Sequence, residues 1–176
     1  LFRSIAPYEY GDNILGALLR EAQFKAQELI PSSGMISTND LVEPFEARNI
    51  HPRNKTTVGK RLCYLALTRT YGVKGIVDQG PIYQSMEIKD GKAIISFSNA
   101  PEGFSRMNGI EGFEVAGADK VFYPAVAVVD WNKHIIVSSD QVPQPVAVRY
   151  AFKNFQPGNL HNHREQPVFP FRTDNW

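Results

Sequence analysis

Apolar residues in the first part of the chain recur at alternating spacings, and the alternation predicts its elements. Residues 1–5 form a short strand candidate, stopped by Pro7, Gly11 and the polar pair Asp12-Asn13. Leu15, Leu18, Leu19, Ala22, Ala26, Leu29 and Ile30 then fall on one stripe at helical spacing, the signature of an amphipathic helix with one buried face. Pro31 and Gly34 punctuate its end, as residues that cannot or do not extend a helix. Residues 35–38 read as a second short strand, with Asn39-Asp40 at its C-terminal end and an irregular stretch over 41–51. A second helix is predicted to begin near Pro52, because a first helical turn does not need the N–H that proline lacks. Its buried stripe would be Val58, Leu62, Leu65 and Ala66, and Gly72 is its stop. Strand, helix, strand, loop, helix is the grammar of an α/β sheet. Two strands are too few for a whole one, so this part is expected to dock onto further polypeptide.

From residue 75 the period shortens to that of strands. Residues 82–89 and 92–97 flank Asp90-Gly91, the dipeptide favoured by a hairpin turn whose two central residues both need positive φ. Residues 113–116, 125–129, 134–138 and 146–151 are further strand candidates, separated by turn residues. Short strands at near-regular spacing predict a mainly antiparallel, sandwich-like domain. The tail over 156–176 is rich in proline, asparagine and aromatic residues. It is expected to be ordered and packed on the sandwich, since disordered tails are poor in aromatics. The predicted division is therefore 1–74, an α/β part, and 75–176, a β-rich accessory domain.

Composition removes several function classes. With 19 basic and 18 acidic residues the net charge is +1, so no strong field gathers nucleic acid or an anionic membrane. No apolar run approaches the roughly 20 residues that span a bilayer. The lone cysteine, Cys63, excludes an internal disulfide framework and a cysteine-based zinc cluster, and it reads as a small apolar filler beside the helix stripe. His134 and the pair His161 and His163 read as structural or surface residues, so no metal site is expected. The sequon Asn54-Lys55-Thr56 reads as incidental.

Chemistry concentrates in Asn49-Ile50-His51-Pro52-Arg53-Asn54-Lys55. An irregular loop after a strand is where open α/β sheets place their sites. A histidine there suits general base work, because an unperturbed imidazole titrates at about 6.5.

The run from Ile50 to Leu62, Ile-His-Pro-Arg-Asn-Lys-Thr-Thr-Val-Gly-Lys-Arg-Leu, resembles the segment around the catalytic histidine of sialate O-acetylesterases. These are carbohydrate esterases of the SGNH hydrolase superfamily. Ile5-Ala6-Pro7-Tyr8, Leu19-Arg20-Glu21-Ala22-Gln23, Thr38-Asn39-Asp40-Leu41, Gly117-Ala118-Asp119-Lys120, Phe122-Tyr123-Pro124, Val146 through Ala151 and Phe171-Arg172-Thr173-Asp174 match in the same order. The resemblance implies that residues 1–74 are the C-terminal piece of an SGNH-type, flavodoxin-like parallel sheet. It implies serine-type hydrolysis of an acetylated sugar such as sialic acid, with His51 as the base and no metal or organic cofactor. The family's serine lies in a Gly-Gln-Ser-Asn-Met-like motif upstream of what Leu1 matches. The expected partner is thus an N-terminal segment or chain carrying that serine. Neither Gly103-Phe104-Ser105 nor Gly34-Met35-Ile36-Ser37 makes a Gly-x-Ser-x-Gly elbow in its place.

The positions two and three residues before His51, where relatives carry an aspartate, hold Asn49 and Arg48. Asp40 is the first candidate for the acid, Glu43 and Glu46 are others, and a histidine oriented by a backbone carbonyl is the alternative. Arg53 and Lys55 are the candidates to steer an acidic sugar. Tyr8, with Tyr10 and Phe45, is the candidate to stack on a sugar face. Matching relatives imply a periplasmic or secreted location. The other reading is a non-catalytic carbohydrate-binding or interaction module derived from an esterase.

Overall fold

A computed structural model of the chain describes residues 1–11 and 13–176. They fall into two compact units, Leu1–Gln79 with Lys153–Pro157, and Gly80–Phe152 with Gly158–Trp176.

The first unit carries strand β1 (Phe2–Arg3), helix α1 (Leu15–Leu29), strand β2 (Met35–Ile36), a single 3-10 turn at Pro44–Glu46 and helix α2 (Lys55–Arg69). β1 and β2 pair in parallel, Phe2 opposite Met35 and Arg3 opposite Ile36. The regular ladder is shorter than the predicted strands because side chains take over its far end. Ser4 N still donates to Ile36 O at 2.9 Å, but Thr38 N donates to Ser4 Oγ at 3.0 Å and Thr38 Oγ1 donates to Ser4 O at 3.2 Å. What is present of a parallel sheet is this two-stranded pair.

The apolar stripe of α1 is not the buried face that its spacing predicts. Leu15, Leu19, Leu29 and Ile30 are exposed, while Ala17 and Arg20 are the buried residues of the helix. Two strands cannot cover a helix face of this length, so the apolar side stands in solvent. Arg20 instead turns inward, and its guanidinium donates to the carbonyl oxygens of Lys153 and Asn154. No carboxylate among the described residues pairs with it. Burial of that cation pushes its pKa down to about 10.

α2 begins at Lys55 rather than at Pro52, because Asn54 takes the cap and its side chain accepts from Thr57 N at 3.1 Å. Arg61 and Leu65 form its buried face. Cys63 is exposed on the other side and is not a core filler. Neither helix is long and apolar enough to cross a membrane, among the described residues.

The second unit holds β3 (Ile82–Lys89), β4 (Lys92–Ser98), β5 (Phe113–Ala116), β6 (Phe122–Pro124), β7 (Val126–Val129), β8 (Ile135–Ser138), β9 (Ala147–Tyr150) and β10 (Phe171–Arg172). They form two antiparallel sheets, in the orders β10-β9-β5-β6 and β3-β4-β8-β7. Ile95, Ile135 and Val137 of one sheet share a core with Val115, Val148 and Tyr150 of the other. Asp90 and Gly91, at φ 51° and 70°, make the predicted tight hairpin turn. The strand predicted over 125–129 is β7, Val126–Val129, which pairs with β8. Just before it a further strand that was not predicted, Phe122–Pro124, pairs with β5 in the other sheet. The tail is ordered and contributes β10, whose Phe171 ring stacks on Tyr83 at 4.9 Å. Lys153–Pro157 belongs to the first unit rather than to the sandwich; there Asn154 Oδ1 accepts from Gly16 N at 2.7 Å.

Candidate functional site

The loop between β2 and α2 is held by two buried ionic groups. Asp40 lies just past β2, and both of its carboxylate oxygens accept from Arg61 of α2, at 2.7 and 2.6 Å. The pair is nearly buried, with side-chain exposures of 8% and 5%. Arg61 also donates to Ser37 O at 3.0 Å, which ties the end of β2 to the helix.

Glu46 is the second such group. Glu43 and Glu46 bracket the 3-10 turn in a reciprocal capping box, with Pro44 at its first position. The Glu46 side chain is 3% exposed. It accepts from Glu43 N at 3.3 Å and from Arg53 N at 2.9 Å. One carboxylate thereby joins the start of the loop to its end. Between those ends, Asn49 N donates to Glu46 O at 2.7 Å, and His51 N donates to Asn49 Oδ1 at 2.9 Å. His51 sits at the tip of this closed loop, with its side chain exposed.

His51 borders an open cleft of about 620 Å³ whose walls are mostly apolar: Phe2, Ile5, Leu19, Ile50, Val58 and Leu62. Arg3 and Gln23 complete the lining. Gln23 Oε1 accepts from Ile5 N at 2.7 Å and steadies the segment after β1. The His51 imidazole has no hydrogen-bond partner among the described residues, and no serine, cysteine or carboxylate lines the cleft. An imidazole at the edge of an open, mostly apolar cleft is suited to proton transfer with a group brought into it. It needs a further contact to fix its tautomer and direction.

A second cavity of about 420 Å³ adjoins the first, sharing Ile5, Leu19 and Ile50 with it. Tyr8, Tyr10, Arg20 and Asn154 complete its polar and aromatic edge. The Tyr8 and Tyr10 rings stack with centroids 6.3 Å apart.

The residues singled out from the sequence are thus distributed unevenly. His51 and Tyr8 line neighbouring cavities that meet at Ile50. The expected pairing of Asp40 with His51 is not what the structure shows, because Arg61 occupies both oxygens of Asp40. Glu46 is committed to backbone N–H groups rather than to the imidazole. Arg53 and Lys55 do not line either cavity. Arg53 instead lies over the exposed Phe45 ring, 5.4 Å from its centroid, and Lys55 is exposed at the first turn of α2. Arg48 pairs with Glu9 at 2.8 Å, and that bond and charge raise its pKa further. Sequence reasoning passed over Arg3 and Gln23 as cleft residues and Glu46 as a loop clamp. The spacing Glu43-Pro44-Phe45-Glu46 was the available signal for the last.

The other histidines of the chain do not form a comparable site. His134 Nδ1 lies 3.2 Å from Asp130 Oδ2, and His161 Nδ1 lies 3.1 Å from Asn159 O. Among the described residues no cluster of histidine, cysteine, aspartate and glutamate is arranged to hold a metal ion.

No protein-family model and no curated protein matches the chain. Among solved structures, the chain is similar to a carbohydrate acetylesterase from Xanthomonas citri, with 36% identity and a TM-score of 0.86. The likeness covers 99% of this chain and 40% of that one. The chain therefore spans less than half the length of the solved relative.

Proposed function

We propose that this chain is the histidine-bearing part of a carbohydrate esterase that releases acetate from O-acetylated sugars, with sialic acid as the substrate class suggested by the residues around His51. The observation that carries this reading is the position of His51. It stands unpaired on a preformed loop at the rim of an apolar cleft, in a chain 36% identical along 99% of its length to a carbohydrate acetylesterase.

On this reading a polypeptide segment outside these 176 residues brings the nucleophilic serine to the cleft. His51 accepts the serine proton as the oxygen attacks the acetyl carbonyl, and returns it to the departing sugar hydroxyl. Water then enters, His51 takes its proton, and acetate leaves as the serine is restored. That polypeptide would also extend the parallel pair of β1 and β2 into a larger flavodoxin-like sheet and cover the exposed face of α1. We assign Asp40 to the ion pair with Arg61, so the imidazole would be oriented by a backbone carbonyl or by a group on the incoming segment. Tyr8 supplies the aromatic edge next to the cleft, with Arg53 and Lys55 as charges outside it.

The test is acetate release from an O-acetylated sugar, measured for the protein carrying this chain together with the serine-bearing segment. His51→Ala should abolish release, and the 176-residue chain alone should show none. Tight binding of the acetylated sugar by the chain alone, with release unaffected by His51→Ala, would favour the non-catalytic binding module instead.

A further inference from the structure

We infer that Glu46 is a positioning residue for His51, acting through the backbone of the loop rather than as the acid of a triad. The inference rests on the reading of His51 as a base and names the group that holds it in place.

A buried carboxylate that accepts only from main-chain donors is an organiser of backbone. The Glu46 side chain is 3% exposed, with Arg53 Nε 3.9 Å from its Oε1. What offsets that burial is the pair of N–H donors, Glu43 N and Arg53 N, from opposite ends of the loop. The Glu46 carbonyl adds a third link by accepting from Asn49 N, and Asn49 Oδ1 passes the constraint on to His51 N. A continuous chain of bonds therefore runs from a buried carboxyl group to the peptide of an exposed histidine. The imidazole itself has no partner among the described residues, so its position depends on this backbone. A proton acceptor must reach its nucleophile within about 2.6–3.2 Å, and a displacement of about 1 Å from such a geometry costs on the order of 10²-fold in rate.

Three variants and two readouts test this. In Glu46→Ala the clamp is lost. Glu46→Gln keeps an acceptor for Arg53 N but loses the charge and the second acceptor oxygen. Asn49→Ala removes only the exposed last link, and so remains informative should Glu46→Ala fail to fold. In the protein with its serine-bearing segment, Glu46→Ala should lower kcat for acetate release about 10²-fold, with KM nearly unchanged. Glu46→Gln should recover most of that loss, and Asn49→Ala should lower kcat while melting as the wild type does. The second readout is independent of activity: the imidazole 15N resonances of the chain, with the His51 signals identified by their loss in His51→Ala. Glu46→Ala and Asn49→Ala should shift or broaden the His51 signals and leave the other histidines in place. If His51→Ala retains activity, the esterase reading fails, and the resonances still report on the clamp. If His51→Ala is inactive while folded Glu46→Ala and Asn49→Ala keep wild-type kcat and wild-type His51 resonances, the positioning role is refuted.

Discussion

Breaking the Asp40–Arg61 pair should cost the first unit much of its stability, and the size of the loss follows from the geometry. Both guanidinium-to-carboxylate bonds are short, at 2.7 and 2.6 Å, and both side chains are almost buried. Asp40→Asn keeps the shape of the side chain but removes the Asp40 charge from beside the nearly buried Arg61 guanidinium. Removing one partner of such a pair typically costs about 3–5 kcal/mol, and for a domain of under 100 residues each kcal/mol is worth about 4–8 °C of melting temperature. A fall of more than about 12 °C is therefore expected. Arg61→Met alone should destabilise similarly, whereas Asp40→Leu with Arg61→Met should be much less harmful than either loss suggests, because no charge is left stranded. Helical circular dichroism is the right signal, since α1 and α2 both lie in the first unit. A double-mutant cycle should give a coupling of at least about 2 kcal/mol. Additivity within about 0.5 kcal/mol would refute the assignment. So would an Asp40→Asn protein that melts normally but loses kcat, the result expected of an acid that orients His51.

Other regions make separate predictions. Gly158→Ala should destabilise the sandwich by about 1–3 kcal/mol, measured by urea unfolding, because a Cβ there would lie 2.1 Å from Oη of the buried Tyr150. Arg149→Lys should cost more than an ordinary surface change, since it loses the two-pronged bond to Asp174, at 2.8 Å on each arm, and the stacking over Phe122; thermal melting reads this out. Leu15 and Leu19 leave an apolar face on α1 in solvent, so the chain alone should brighten a hydrophobic dye, and Leu15→Glu with Leu19→Glu should suppress that signal without lowering the melting temperature.

The parts of the fold that depend on local pattern were legible in the sequence. The turn at Asp90-Gly91 followed from the φ requirement of its two residues, and the helices followed from their 3.6-residue spacing. The parts that depend on partners were not. The α1 stripe predicts a covered face, but coverage depends on what lies opposite, and β1 and β2 are too small to provide it. The strand at Phe122–Pro124 is invisible to a period-two pattern, because three residues are too few to show an alternation. At the site, His51 is singled out by its residue type and its neighbours in sequence, and it lines a cleft. The bonds from Arg61 to both oxygens of Asp40 were not legible, because residues 21 apart in sequence meet only through the packing of α2 on β2. Glu46 was considered as an acid, whereas its burial among backbone donors makes it a clamp.

The central claim is that His51 moves the proton in ester hydrolysis, and acetate release from an O-acetylated sugar tests it most directly. With the serine-bearing segment present, wild-type protein should release acetate, and His51→Ala, with unchanged folding, should lower kcat by at least about 10³-fold. A His51→Ala protein within a factor of a few of wild type would contradict the account.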